Sequence, residues 1–123
     1  MTLKDLLKSD FGVELPISGG FGNSIVNAII IHRSGINDYV GTEHFILKCL
    51  GEGRGIEWKV LGQELLRHND QQIDKIKIET KQTKELEIIT QIENYYFDIT
   101  QCFGSEIRQA ISFNEEETLK KIK

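Results

Sequence analysis

Residues 73–101, IDKIKIETKQTKELEIITQIENYYFDITQ, decide the fold class of this chain. Apolar and polar residues alternate in three segments of this stretch, and a period of two predicts β-strands with one solvent-exposed face. Residues 81–84 and 93–94 separate the segments, so they are predicted to be the two loops of an antiparallel meander. The alternating apolar positions are Ile76, Ile78, Leu86, Ile88, Ile92, Tyr95, Phe97 and Ile99.

Residues 28–32, AIIIH, form the most apolar short run and predict a central strand buried on both faces. Combined with the meander, this strand predicts an α+β fold. We expect an antiparallel sheet of about four strands with helices packed on one face. A length of 123 residues fits a single globular domain over residues 1–123.

The segments before, between and after these strands have the apolar spacing of helices. Thr2 is a suitable N-cap for a first short helix. The spacing of Trp58, Leu61 and Leu65 at i, i+3 and i+7 predicts the apolar face of a later one. The predicted helices cover residues 3–9, 39–50 and 56–67, followed by two that begin at Ser105 and Asn114.

Charge and cysteine content narrow the function classes. The 15 basic and 19 acidic residues give a net charge of -4, which disfavours a non-specific nucleic-acid binder and a ligand of anionic membranes. Cys49 and Cys102 match no metal or redox spacing, and they are predicted to be reduced, packed thiols. With no signal sequence or long apolar run recognised, the expected location is the cytoplasm and no membrane contact is predicted.

A glycine-rich segment precedes the predicted central strand. Ten of the eleven glycines lie in the first 62 residues, and the densest group matches neither a dinucleotide fingerprint nor a P-loop. This pattern favours a turn that leads into the central strand with Phe21 beneath it, and a ligand or partner contact is the alternative. The residues of this candidate ligand loop are Gly19, Gly20, Phe21, Gly22 and Asn23.

Acid–base residues occur at His32, Asp38, Glu43 and His44, but their spacing fits no metal site and no catalytic signature. No serine or cysteine stands out as a nucleophile. The sequence therefore predicts a protein without metal or cofactor that is not an enzyme. The alternative is a small hydrolase or lyase with a cleft near residues 18–24, in which His32, Asp38 and Glu43 act as acids or bases.

Two groups of residues are typical of protein contacts. A glycine-bearing segment carries an arginine and the only tryptophan, which are enriched at binding hot spots. The last strand of the meander places a tyrosine among acidic residues, which suits a basic partner. The predicted partner-binding residues are Glu52, Arg54, Glu57, Trp58, Glu93, Tyr96 and Asp98.

In its size, acidity and lack of catalytic groups, the chain resembles the small acidic α+β immunity proteins with which bacteria neutralise toxins. The resemblance implies a non-enzymatic protein-binding module, most concretely an inhibitor of a basic toxin domain. Burial of a strand edge against a second copy, as in a homodimer or another structural assembly, is a further alternative.

Overall fold

The computed structural model describes residues 1–32 and 39–102 of the chain. Within these residues the fold is α+β, with two α-helices and one five-stranded mixed sheet. The helices predicted after Ser105 and Asn114 lie outside the described residues. The elements are α1 (Leu3–Phe11), β1 (Ile17–Gly19), β2 (Ile29–Ile31), α2 (Tyr39–Arg54), β3 (Glu57–His68), β4 (Gln71–Lys84) and β5 (Glu87–Asp98), followed by a 3-10 turn at Thr100–Cys102.

The strands lie in the order β1-β2-β5-β4-β3. β2 runs parallel to β5, with Ile29 opposite Phe97, whereas the other neighbours are antiparallel. The prediction of an antiparallel sheet of about four strands is therefore wrong in strand number and in direction. Alternation shows which residues share a face but not the direction of a neighbour, and the long connection from β2 to β5 permits parallel pairing.

The helix predicted at residues 56–67 is wrong, because residues 57–67 belong to the edge strand β3. The register shifts between Val60 and Gly62, so Leu61 is an extra residue in a β-bulge. The bulge breaks the period of two and places the apolar residues Trp58, Leu61 and Leu65 at the spacing of a helix. Pairing of the whole strand with β4 prevails over this local pattern.

The two hairpin turns differ from the predicted loops. Residues 81–84 belong to β4 and residues 93–94 belong to β5, while the turns are the dipeptides Asn69-Asp70 and Glu85-Leu86. All four turn residues have positive φ angles, of 51°, 65°, 51° and 72° in chain order. Two-residue hairpins need this backbone because it follows the twist of the strands. The hairpin of β4 and β5 is consequently longer than the sequence indicated.

The helices predicted at residues 3–9 and 39–50 are present, with different ends. Thr2 and Asp5 form a reciprocal capping box at the start of α1, as the N-cap prediction required. α2 continues past Gly51 to Arg54. A Cβ atom on Gly51 would lie 2.7 Å from Cδ1 of Trp58, so this glycine lets the indole pack directly against the helix.

The hydrophobic core lies between the two helices and one face of the sheet, which we call the helix face. Side chains of Ile76, Ile78 and Phe97 project from this face into the core. The two cysteines are free and buried, in agreement with their prediction as packed thiols. No helix of the described residues is long and apolar enough to cross a membrane. The buried core comprises Leu3, Leu7, Ile17, Ile29, Ile31, Ile46, Leu47, Cys49, Ile76, Ile78, Phe97, Ile99 and Cys102.

Candidate functional site

The β4–β5 hairpin extends beyond the rest of the sheet. Every residue from 81 to 92 is exposed to solvent, although all except the two turn residues belong to paired strands. β3 reaches only as far as the pair of Glu57 with Lys81. The outer segment, residues 82–89, is therefore a two-stranded ribbon, which we call the outer ribbon.

Leu86 occupies the tip of the outer ribbon. Its side chain is 100% exposed, and its φ of 72° lies in the left-handed region. A side chain with a Cβ atom costs about 1–2 kcal/mol in that conformation. Because its side chain is fully exposed, Leu86 buries no surface that would offset this strain. It is flanked by the exposed carboxylates of Glu85 and Glu87, and the exposed Ile88 follows on β5.

The predicted contact residues Arg54 and Glu93 bind each other. Both Nη atoms of Arg54 donate to the Glu93 carboxylate at 2.8 Å, and Nη1 also donates to the Tyr95 hydroxyl at 3.3 Å. Hydrogen bonding by Arg54 lowers the pKa of Glu93, and the same bonds raise the pKa of Arg54. Burial is the largest cause of the raised pKa of Tyr95. This bidentate pair joins the end of α2 to β5.

The other residues of that predicted group flank the connection between α2 and β3. Glu52 and Glu57 are exposed, whereas Trp58 is half-buried against Gly51. Trp58 is also packed against the core. Its main contact in this structure is therefore internal.

Tyr96 and Asp98 lie on the face of the sheet opposite the helices. Asp98 is only 6% exposed, and its carboxylate accepts hydrogen bonds from the backbone N–H and hydroxyl of Thr100 and from the Gln71 amide. Asp98 therefore ends β5 and fixes the turn that follows. Tyr96 is half-buried and lies apart from the Arg54–Glu93 pair, since consecutive strand residues point to opposite faces.

The predicted ligand loop connects β1 to β2 and docks onto β5. The Gly20 N–H donates to the carbonyl of Ala28, and the carbonyl of Gly22 accepts from the backbone N–H of Tyr96 at 2.8 Å. Gly22 has a φ of 86°, and a Cβ atom there would lie 2.9 Å from the side chain of Ile29. These contacts give the loop a structural role. Its Phe21 is exposed, so the expectation that this ring lies beneath the loop is wrong.

Asn23 is likewise exposed. Beside the same loop, the structure assembles three polar side chains that the sequence did not group. Ser18 Oγ lies 2.7 Å from His32 Nε2, and His32 Nδ1 lies 3.2 Å from Gln101 Oε1. Antiparallel pairing of β1 with β2 brings Ser18 and His32 together, and the turn after β5 supplies Gln101.

The remaining acid–base candidates are not part of this group as far as the structure describes them. Glu43 is fully buried in α2. Burial raises the pKa of the Cys102 thiol to about 11, and the charge of Glu43 contributes to this shift. His44 lies on α2 and is half-buried. Asp38 lies outside the described residues. No group of three potential metal ligands occurs among residues 1–32 and 39–102.

The residues of these candidate sites that the sequence does not single out are Leu86, Ser18 and Gln101. Leu86 fits the strand pattern of the sequence. Only the pairing of Lys84 with Glu87 shows that residues 85 and 86 form the turn between β4 and β5. Ser18 and Gln101 carry no motif, because their relation to His32 arises from strand pairing over long sequence distances. The chain matches no protein-family model, no curated protein and no solved structure.

Proposed function

We propose that the protein is a binding module that inserts the tip of the outer ribbon into a basic protein domain, as an immunity-type inhibitor of a basic toxin would do. The observation that carries the proposal is Leu86. It is fully exposed and has a strained backbone, so it lowers stability without contributing to the core. Strain retained at an exposed position is a reason to look for function there.

Chemistry at the tip defines the surface that would receive it. Glu85-Leu86-Glu87 places one aliphatic side chain between two carboxylates. An apolar pocket with lysine or arginine side chains at its rim complements this arrangement in shape and charge. The carboxylates would accelerate encounter, and burial of the leucine would provide most of the binding energy.

The exposed branched residues beyond the tip extend the contact surface. Ile88 is 70% exposed and Ile92 is 54% exposed, and both lie on the face of the sheet opposite the helices. Isolated exposed aliphatic residues are common, but here four lie within residues 86–92. The fourth is Ile89, which lies on the helix face of the ribbon beyond the core.

Site-specific photocrosslinking tests the proposal in cells of the source organism. A benzophenone amino acid at position 86 is compared with the same group at position 65, because Leu65 is also exposed but lies on β3. We expect a heterologous basic protein to be captured at position 86 and not at position 65. Equal capture at both positions, or capture only of a second copy of this chain, would contradict the proposal.

The captured partner is then purified and titrated with variants of the inhibitor. Leu86→Gly should weaken binding about tenfold or more, as expected for loss of a buried aliphatic anchor. The same change should make the free protein more stable, since it relieves the strain. Leu65→Ala is the matched control and should bind like the unchanged protein, while unaltered binding of Leu86→Gly would refute the role of the tip.

A further inference from the structure

We propose that Ser18 is a nucleophile activated by His32, with Gln101 as a positioning residue, and that the site accepts small aliphatic esters. The Oγ–Nε2 distance of 2.7 Å is a direct hydrogen bond. A nucleophile bonded to a base, with a third group that orients the base, is the arrangement that nucleophilic catalysis requires. This activity is independent of the proposed binding function.

The orientation of Gln101 sets the tautomer of His32. Its amide oxygen faces Nδ1 at 3.2 Å, and an amide oxygen only accepts hydrogen bonds. Nδ1 of the neutral imidazole therefore carries the proton, which leaves Nε2 as the acceptor for the Ser18 hydroxyl. This is the tautomer in which imidazole acts as a general base toward serine.

Strand pairing fixes the position of both reacting side chains. Ser18 lies opposite Ile30 in the β1–β2 pair, and the backbone N–H of His32 donates to the carbonyl of Pro16. Ser18 is exposed and His32 is half-buried. The hydroxyl is thus accessible to a substrate, while the imidazole is held by its contact with Gln101.

The acyl group would be received by a cavity that lies beside Ser18 and that Ser18, His32 and Gln101 do not themselves line. Gly19 and Ile30, the neighbours of Ser18 along and across the strands, line an open cavity of about 260 Å³ on the sheet face opposite the helices. Ile25, Val26 and Ala28 complete its apolar side. A short aliphatic acyl chain fits this apolar side. The rest of the cavity is lined by His68, Asn69, Gln71 and Asp98.

The reaction balances without a further reagent. Ser18 Oγ forms a bond to the acyl carbon as its proton passes to His32 Nε2, and the ester C–O bond breaks. The departing alkoxide takes the proton from Nε2 and leaves as an alcohol. Water then attacks the acyl-serine, its proton passes through His32 to Ser18 Oγ, and a carboxylic acid is released.

Labelling of the full chain by an alkyl fluorophosphonate tests the proposal, with the modified residue identified by mass spectrometry. We expect one label on Ser18, with Ser18→Ala unlabelled and Ser9→Ala labelled at the original rate. His32→Ala should react about 100-fold more slowly, and added imidazole should restore part of the rate. Labelling distributed over several serines, or a rate unchanged in His32→Ala, would overturn the proposal.

Two variants of Gln101 separate positioning from folding. Gln101→Glu keeps an oxygen acceptor toward Nδ1 and adds a negative charge that stabilises the imidazolium, so labelling should accelerate about tenfold or more. Gln101→Ala removes the acceptor and should slow it. A merely structural hydrogen bond would give no acceleration with glutamate, and that result would contradict the assigned role of Gln101.

Discussion

Replacing Glu85-Leu86 with Asn-Gly should stabilise the outer ribbon. Relief of strain at Leu86 should raise the free energy of unfolding by about 1–2 kcal/mol. The greater conformational freedom of glycine in the unfolded chain lowers it again by about 0.5–1 kcal/mol. Asparagine tolerates the left-handed conformation better than glutamate does and adds about 0.5 kcal/mol. Leu86 is fully exposed, so no buried surface is lost. The net gain is about 0.5–2 kcal/mol.

This gain should appear mainly as slower local opening. Residues 82–89 lie beyond the last pair between β3 and β4, so the outer ribbon can open while the rest of the sheet remains paired. A gain of about 1.4 kcal/mol slows exchange through such an opening about tenfold. Amide hydrogen exchange measured by NMR reports it residue by residue, with the amides of Ile73 and Ile76 in inner β4 as an internal reference.

Matched substitutions distinguish strain from other causes. Leu86→Ala retains the Cβ atom and should leave the exchange rates nearly unchanged, while Leu86→Gly should slow them. Asp70→Gly, at the other two-residue turn, should have a smaller effect because aspartate tolerates a positive φ. Exchange in the outer ribbon that stays within a factor of about two after the double substitution would refute the strain argument.

Three further outcomes are expected. Gly51→Ala should destabilise the fold by about 1–3 kcal/mol in chemical unfolding, since the new Cβ would lie 2.7 Å from the indole of Trp58. The control is Gly53→Ala, which should be neutral or stabilising because its Cβ would have no neighbour closer than 3.8 Å. A double-mutant cycle on Arg54 and Glu93 should give a coupling of about 1 kcal/mol. Because the folded pKa of Glu93 is depressed below its usual 4.5, this stabilisation should be present above that pH and lost as the pH falls through the folded pKa, and a pH-independent coupling would contradict the assignment. Cys102, buried with its pKa raised to about 11, should react with a disulfide reagent at pH 8 only on unfolding, and rapid reaction of the native protein would refute this.

Local sequence signals were sufficient for several elements. The capping box at Thr2 and the apolar run at residues 29–31 were recognisable because their determinants lie within a few residues. β3 was not, because the bulge at Leu61 produced a helix-like spacing of apolar residues. Propensity also failed at Glu85-Leu86, where strand pairing imposes a turn that neither residue favours.

The candidate sites were less accessible to sequence reasoning than the fold. The sequence indicates Arg54 and Glu93 as contact residues without pairing them, and the docking of α2 on the sheet joins them. Ser18 and His32 lie 14 positions apart and meet through two short strands. Such encounters depend on strand order and register, which composition and periodicity do not encode.

The parallel pairing of β2 with β5 also bears on how the chain folds as it leaves the ribosome. Ile29 finds its partner Phe97 only when about 70 more residues have been synthesised, which takes several seconds at about 5–20 residues per second. Until then the short β1–β2 hairpin has neither its neighbouring strand nor the full core. The nascent N-terminal half is therefore expected to remain open to proteases and chaperones until β5 emerges.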